Sequence, residues 1–316
     1  MRIAFVGKGG SGKTTLAALF ARWLAATGAP VLAIDADINQ HLGTALGLSP
    51  REAEALPSLV EHLPALKEHL RGANPRIRSA ESMVKTTPPG TGSRLLTLVE
   101  TGPVLEAAER EVGGVRLLVT GPFAEDDLGV ACYHSKVGAA ELLLNHLVDR
   151  RDEYVVVDMT AGADSFASGM FTRFDLTVLV VEPTARSVAV HRQYLGYSRG
   201  FGVSIAAAGN KVRTDDDRSY LETELGAPPA AVFVDSEYVR AMEKGQFLPL
   251  RRLEPENELG LRRLRGVLDG QRKDWDRFHR QTVEFHIRNA RAWANAAVGE
   301  DLTAQVDPEF VLSVKE

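Results

Sequence analysis

A single cysteine, Cys132, in 316 residues leaves no partner for an intrachain disulfide and fits a reducing compartment. No apolar run approaches the ~20 residues that a bilayer span needs, and the N-terminal apolar stretch is too short for a secretion signal, so a cytoplasmic protein is expected. Positive charge is not in excess: 37 Lys and Arg stand against 42 Asp and Glu, a net charge of −5. A chain whose main task is to coat nucleic acid would neutralise phosphates with a surplus of Lys and Arg, so no specific nucleic acid is expected as partner. Asp301 to Glu316 hold four acids and one lysine and contain no basic amphipathic helix, so no membrane is expected either. Internal repeats and low-complexity segments are absent.

With 44% hydrophobic residues the chain can bury one large core, or a core plus an appendage. Apolar runs at 31–34, 95–99, 115–119, 154–157, 176–181 and 203–207 alternate with helical patterns. Several are apolar on both faces, which suits buried strands of a parallel sheet covered by helices on both sides. The fold expected is α/β, a doubly wound and mostly parallel sheet whose ligands lie at the carboxyl ends of the strands. Residues 50–93, with Pro50, Pro57, Pro64, Pro75 and then Pro88-Pro89-Gly90, read as short helices followed by a loop. A loop this long serves as a lid, a partner surface or a disordered segment.

From Leu261 the residues Leu264, Leu268, Trp275, Phe278 and Phe285 keep a 3,4 spacing, interrupted by Gly266 and Gly270. The division expected is therefore a core over 1–260 and a helical extension over 261–316. Residues 251–291 carry 11 Lys and Arg against 7 Asp and Glu. This basic flank either meets an acidic partner or is the solvated face of a helix packed on the sheet. His279 and His286 lie two helical turns, roughly 10 Å, apart, too far for one metal ion, and read as packing or surface residues.

The chemistry is concentrated near the start. Ile3-Ala4-Phe5-Val6 runs into Gly7-Lys8-Gly9-Gly10-Ser11-Gly12-Lys13-Thr14-Thr15, followed by Leu16, Leu19, Phe20, Trp23 and Leu24 at helical spacing. This is strand, phosphate loop, helix. The pattern G-x4-G-K-[ST] works because glycines let backbone N–H groups turn inward around phosphates while the helix points its positive end at them. Lys13 then reaches the β- and γ-phosphates, and Thr14 offers its hydroxyl to Mg²⁺.

Lys8, a second lysine inside the loop, resembles the deviant phosphate loop of the MinD/ParA superfamily of P-loop ATPases. The resemblance implies dimers closed over two ATP molecules, with Lys8 reaching the γ-phosphate held by the partner subunit. The second strand ends in Asp35-Ala36-Asp37-Ile38-Asn39-Gln40, where the family reads D-x-D-P, with Ile38 in place of the proline. By that resemblance Asp37 polarises the attacking water; the competing reading is a pair of acids capping the next helix.

Val155-Val156-Val157-Asp158, followed by Thr160-Ala161-Gly162, is a strand ending in an acid that holds Mg²⁺ through water, then a glycine whose N–H senses the γ-phosphate. Asn210-Lys211-Val212-Arg213 resembles the N-K-x-D base-reading motif, with arginine where guanine-reading proteins carry aspartate. This favours ATP, with Asn210 on the adenine edge and Pro183 either lining the same pocket or punctuating a strand end.

Within that superfamily, Gly129-Val130-Ala131-Cys132-Tyr133-His134 looks like the G-x-x-C-Y-C element of the CooC-type nickel-insertion ATPases that mature carbon monoxide dehydrogenase. The resemblance continues through 151–159 and 180–184 and covers residues 1–250. It implies a metalloenzyme maturation role, a client protein and a metal held between two subunits. His134 stands where the second cysteine would be. Two Cys-x-His pairs across a two-fold axis would offer an S₂N₂ set for Zn²⁺ or Ni²⁺. Alternatively, metal binding is lost and Cys132 is a small packed side chain. The rival function is an ATP-gated dimer that positions a protein partner without metal. A nitrogenase-type iron–sulfur bridge is excluded, because it needs two cysteines per chain.

Overall fold

The computed structural model describes residues 1–99, 102–121, 134–160 and 162–312, without the side chains of residues 134, 135, 163, 164 and 167. Its strands are β1 (Arg2–Gly7), β2 (Val31–Ala36), β3 (Leu96–Thr97), β4 (Arg110–Val112), β5 (Val115–Val119), β6 (Leu147–Val148), β7 (Tyr154–Met159), β8 (Leu176–Val181), β9 (Ile205–Val212) and β10 (Ala231–Val234). The α-helices are α1 (Lys13–Ala26), α2 (Leu42–Leu46), α3 (Pro50–Glu54), α4 (Leu63–Arg71), α5 (Gly102–Ala108), α6 (His134–His146), α7 (Ala185–Ser198), α8 (Asp215–Leu225), α9 (Glu237–Glu243), α10 (Pro255–Asp269), α11 (Trp275–Asn289) and α12 (Asn295–Val298).

The main sheet has eight strands in the order β10-β9-β8-β1-β7-β2-β5-β4. All its pairs are parallel except β4 with β5. Alternate residues of one strand enter two cores. Ala4 and Val6 of β1, with Val155 and Val157 of β7, meet α4, α6 and α7. Ile3 and Phe5, with Tyr154 and Val156, meet α1 and α10. This double burial explains why these strands read as continuous apolar runs. The fold is the doubly wound α/β architecture expected.

Four details differ from the sequence reading. The run at 95–99 forms only the two-residue β3, paired with β6 in a separate small sheet, because the main sheet's edge beside β5 is taken by the hairpin strand β4. Strand β9 continues through Asn210 and Lys211 instead of ending at 207. The C-terminal stripe is two helices: α10 begins at Pro255 and runs past residue 260, and Asp274 caps a new helix by accepting from Arg277 N at 2.8 Å.

The fourth is the segment after α4. Residues 82–84 and 86–90 are buried, so it is neither an open lid nor a disordered loop. The tail beyond α11 fastens it. Gln305 Nε2 donates to Ser82 O at 3.1 Å, Thr87 Oγ1 donates to Gln305 Oε1 at 3.1 Å, and Asp307 Oδ2 accepts from Thr91 N at 2.9 Å. Val84 packs with Ala290, Ala294 and Leu302. His286 is fully buried with Nε2 2.8 Å from Leu302 O. A carbonyl only accepts, so Nε2 carries the proton, leaving Nδ1 to face the Thr86 hydroxyl at 3.4 Å. His286 is thus a packing residue, as expected.

Glu141 of α6 is 2% exposed, and its Oε2 has no hydrogen-bond partner. Burial raises its pKa to about 7, against the opposing pull of Lys85 and Arg173 and of hydrogen bonds from Gly169 and Ser168. A carboxyl raised in the folded state favours folding below its unfolded value near 4.5, and that contribution is lost as pH rises through about 7. Denaturant unfolding should therefore show wild-type stability falling by up to roughly 3 kcal/mol between acidic and neutral pH, with Glu141→Gln removing that component. Superimposable pH profiles would refute this ionisation account. Separately, Asp307→Ala should speed hydrogen exchange at Thr91 and its neighbours while leaving the β1 amides protected, as mass spectrometry of exchanged peptides would read.

Candidate functional site

Because β1, β2, β7, β8 and β9 run parallel, their carboxyl ends deliver side chains to one edge of the sheet. The loop after β1 turns back at once: Ser11 N donates to Lys8 O at 3.0 Å, and Gly10 and Gly12 take φ of +81° and +91°. A Cβ on Gly12 would lie 2.3 Å from Asn210 Nδ2, and one on Gly7 would lie 2.7 Å from Val180 O. The glycines therefore serve both conformation and close approach. α1 starts immediately, so its free N–H groups face the space above the loop.

Lys13 is 9% exposed and hydrogen-bonds through Nζ to Asp37 Oδ2, with Asp158 Oδ1 3.8 Å away. Burial opposes its charge, but Asp158 and Asp37 outweigh it and raise the lysine pKa. Thr14 Oγ1 donates to Asp158 Oδ2 at 2.6 Å, whereas Asp158 Oδ1 is buried without a hydrogen-bond partner. Burial raises the Asp158 pKa to about 7 despite Lys13 and Thr14. Register places Asp35 beside Asp158 on adjacent strands. Asp35 accepts from Asp37 N at 3.2 Å and Leu42 N at 2.8 Å, and burial, then Asp158, raises its pKa well above the usual carboxylate value. Of the two acids, Asp35 is the one that fastens the start of α2, and Asp37 is the one that faces Lys13. Asn39 orients Asp37, donating to Oδ1 from N at 3.0 Å and from Nδ2 at 3.1 Å.

A cleft of about 910 Å³ opens over this centre. Gly9, Gly10, Gly12, Lys13, Thr14, Thr15, Asp37 and Thr160 form one wall, with Leu48, Met242 and Phe247 opposite. A second hollow of about 290 Å³ shares Gly12 and Thr15 and extends past Leu16 and Leu19 to Asn210, Arg213, Phe233, Asp235 and Arg240. Together they form a trough across the N-terminus of α1, with charged side chains in both parts: Lys13 and Asp37 in the first, Arg213, Asp235 and Arg240 in the second.

The remaining sequence-selected residues divide. Gly162 takes φ +64° and opens a 3₁₀ turn after β7. Ser11 keeps its buried hydroxyl without a partner beneath the loop. Asn210 is turned inward, its Nδ2 donating to Ser11 O at 2.8 Å, so its amide braces the phosphate loop. Pro183 follows β8 but lines neither hollow. Lys8 stays on its own chain, donating to Gly9 O at 2.9 Å with Nζ 3.8 Å from Glu182 Oε2. Cys132 lies outside the described residues, as does the His134 side chain.

Two residues, Lys211 and Glu182, have a part in the site that the sequence reading did not assign to them. Lys211 holds a left-handed φ of +58° and donates to Gly10 O at 2.6 Å and to Glu182 Oε1 at 2.8 Å. Such backbone strain in a non-glycine residue needs support from its surroundings, which these two bonds supply. The signals were an Asn-Lys pair at a strand end and an acid directly before Pro183, both adjacent to residues already singled out.

The CobQ/CobB/MinD/ParA nucleotide binding domain matches residues 3–268. The carbon monoxide dehydrogenase accessory protein CooC of Rhodospirillum rubrum is 31% identical over 222 residues, 70% of this chain and 78% of that protein. An uncharacterized ATP-binding protein of Methanocaldococcus jannaschii is 30% identical over 230 residues, 72% and 82% of the two chains. Among solved structures, the Pyrococcus furiosus cell division ATPase MinD superposes with a TM-score of 0.55 at 17% identity, over 85% of this chain and 98% of that one, a likeness of fold. The deviant phosphate loop, the acids on neighbouring strand ends and a family match over most of the length agree: the chain belongs to the CobQ/CobB/MinD/ParA family of nucleotide-binding proteins.

Proposed function

We propose that the protein is a Mg²⁺-dependent ATPase that closes as a homodimer over two ATP molecules and serves metalloenzyme maturation in the manner of CooC. The observation that carries the ATPase reading is Lys13, held between Asp37 and Asp158 under the N-terminus of α1. An incoming triphosphate competes with these carboxylates for the ammonium, and once Lys13 turns to phosphate oxygens, Asp37 would accept from water as well as from Asn39. That water attacks the γ-phosphorus in line, the bond to the β,γ-bridging oxygen breaks, and ADP and phosphate result. Lys13, and Lys8 of a facing copy once it leaves Gly9 O, would meet the charge developing on the leaving group.

The loop from Gly7 to Thr15 would cradle the phosphates, and Gly162 N would meet the γ-phosphate. The hollow lined by Asn210 would take adenine, while Pro183, which lines neither hollow, would serve as the punctuation after β8. Thr14 and Asp158 would hold Mg²⁺, Asp158 through water; the unpartnered Asp158 Oδ1 fits that role. When bound, the ion neutralises oxygens of the β- and γ-phosphates.

Two further elements of the proposal follow from similarity to CooC: Cys132 and His134 as an interfacial pair for Zn²⁺ or Ni²⁺ cargo, and a client enzyme as partner. His134 in the place of a second thiolate also favours a second reading, in which the same ATP-gated dimer positions a protein partner without metal. The location proposed is the cytoplasm; among the described residues no helix is long and apolar enough to cross a membrane. The working division is an ATPase core over 1–260 with a helical extension over 261–316.

Replacing Lys13 or Asp37 by Ala should lower phosphate release by about 10²-fold or more, while the protein remains folded by circular dichroism. Wild-type turnover in either variant would remove the mechanism. Native mass spectrometry of Asp37→Ala with Mg-ATP and Zn²⁺ or Ni²⁺ should give a dimer carrying one metal ion that Cys132→Ser abolishes. A metal-free dimer decides for the partner-positioning switch, and a monomer rejects the dimeric reading altogether.

A further inference from the structure

The sheet's amino-terminal edge, opposite the phosphate loop, carries a groove that the ATPase chemistry does not use. α7 ends at Ser198, and residues 199–202 turn the chain toward β9, with Gly200 at φ +85° and Gly202 at φ +63°. α11 lies against this turn and is bonded to it. Gln281 Nε2 donates to Phe201 O at 2.5 Å, Arg277 Nη1 donates to Gly202 O, and Phe201 stacks on Phe285 with ring centroids 5.8 Å apart.

The hollow between them measures about 370 Å³ and is lined by Arg199, Phe201, Arg277, Arg280, Glu284 and Arg288. Four guanidinium groups therefore face one carboxylate, and Glu284 is already engaged by Arg288. Arg199 and Arg280 are exposed and form no ion pair among the described residues. Arg277 keeps a buried Nε without a partner. A concentration of positive charge on a chain of net charge −5 is not explained by solubility.

We propose that this groove is a docking site for an acidic segment of a partner protein. Guanidinium groups pair bidentately with carboxylates, and the Phe201 ring, backed by Phe285, can cover the aliphatic stems of Asp and Glu. The groove is short and Glu284 stands in its wall. The remainder of the chain is acidic and repels a long polyanion, which favours a few carboxylates over a nucleic-acid backbone. One wall, α11, lies beyond residue 268, where the family match ends. Its place at the far end of the strands leaves the nucleotide face free. That the docked protein is a client rests on the function proposed above; the docking itself does not, since no nucleotide takes part in it.

The test is fluorescence anisotropy with a fluorescein-labelled Asp/Glu peptide and the full-length protein, without nucleotide. Wild-type binding should fall about tenfold between low and moderately high salt, and Arg199→Glu with Arg280→Glu should weaken it by about tenfold or more. The same charge change at Arg251→Glu with Arg263→Glu should leave binding within about twofold, as expected for a remote, screened change. Both double variants alter exposed side chains, and unchanged melting temperature and ATP turnover would confirm that they fold. Equal loss in the two variants, no peptide binding, or tighter binding of a labelled single-stranded oligonucleotide would each overturn the proposal. Loss of ATPase activity in Lys13→Ala with peptide binding intact would bear on the nucleotide chemistry alone.

Discussion

The buried ammonium of Lys13 is the group around which the rest is arranged. Asp37 and Asp158 reach it from two neighbouring strand ends, and Asp35 stands beside Asp158 in register. One lysine stands among three buried carboxylates; burial above all, with like charge adding to it, raises the pKa values of Asp35 and Asp158. A phosphate entering alone would meet this surplus of negative charge. The proposed requirement for Mg²⁺ follows from that electrostatics as much as from the chemistry of phosphoryl transfer.

The parallel sheet converts this local problem into a division of the molecule. Every strand end beside β1 points its last residues at the nucleotide trough, while the opposite edge is closed by ionic packing. There Arg2 Nε donates to Asp149 Oδ1 at 2.7 Å, and Lys273 Nζ donates to Asp149 Oδ2 at 2.5 Å and to Asp175 Oδ2 at 2.7 Å. Trp275 and Phe278 lie over Arg2 and Lys273. Breaking such a largely buried network by removing one partner leaves an uncompensated charge. α11 is thereby anchored at its first turn to the base of the sheet, which is why the extension does not swing free.

What could be read from sequence is what is local in sequence. The phosphate loop, Asp37 and Asp158 each sit one to three residues past an apolar run, so the strand pattern alone places them at the sheet's carboxyl edge. Asn210 was found by its motif, but its side chain braces Ser11, because Gly12 leaves room for an amide that no sequence spacing reveals. The segment 82–90 has the composition of a loop, and its burial depends on Gln305 and Asp307, more than two hundred residues later. The apolar stripe from Leu261 to Phe285 likewise runs across a helix break, because Lys273 is drawn toward Asp149 and Asp175 while Asp274 starts a new helix.

The extension also bears on how nucleotide state could be read at a distance. Gly162 opens the 3₁₀ segment Gly162–Ala167, a second 3₁₀ turn runs from Gly169 to Thr172, and the buried Arg173 follows directly. Arg173 Nη1 donates to Phe278 O at 2.6 Å and to Thr282 Oγ1, while a Cβ on Gly169 would sit 3.1 Å from the Phe285 ring. Burial lowers the Arg173 pKa to about 9, and the nearby Glu141 only partly offsets this; Thr172 and α11 together supply its acceptors. A shift at Gly162 must either be absorbed within these two short turns or move α11 with it. Close-packed interiors favour the second outcome, since they deform by discrete repacking and not by graded strain. The same helix that closes the base of the sheet therefore lies between the turns that follow Gly162, the γ-phosphate contact proposed above, and the basic groove on its outer side.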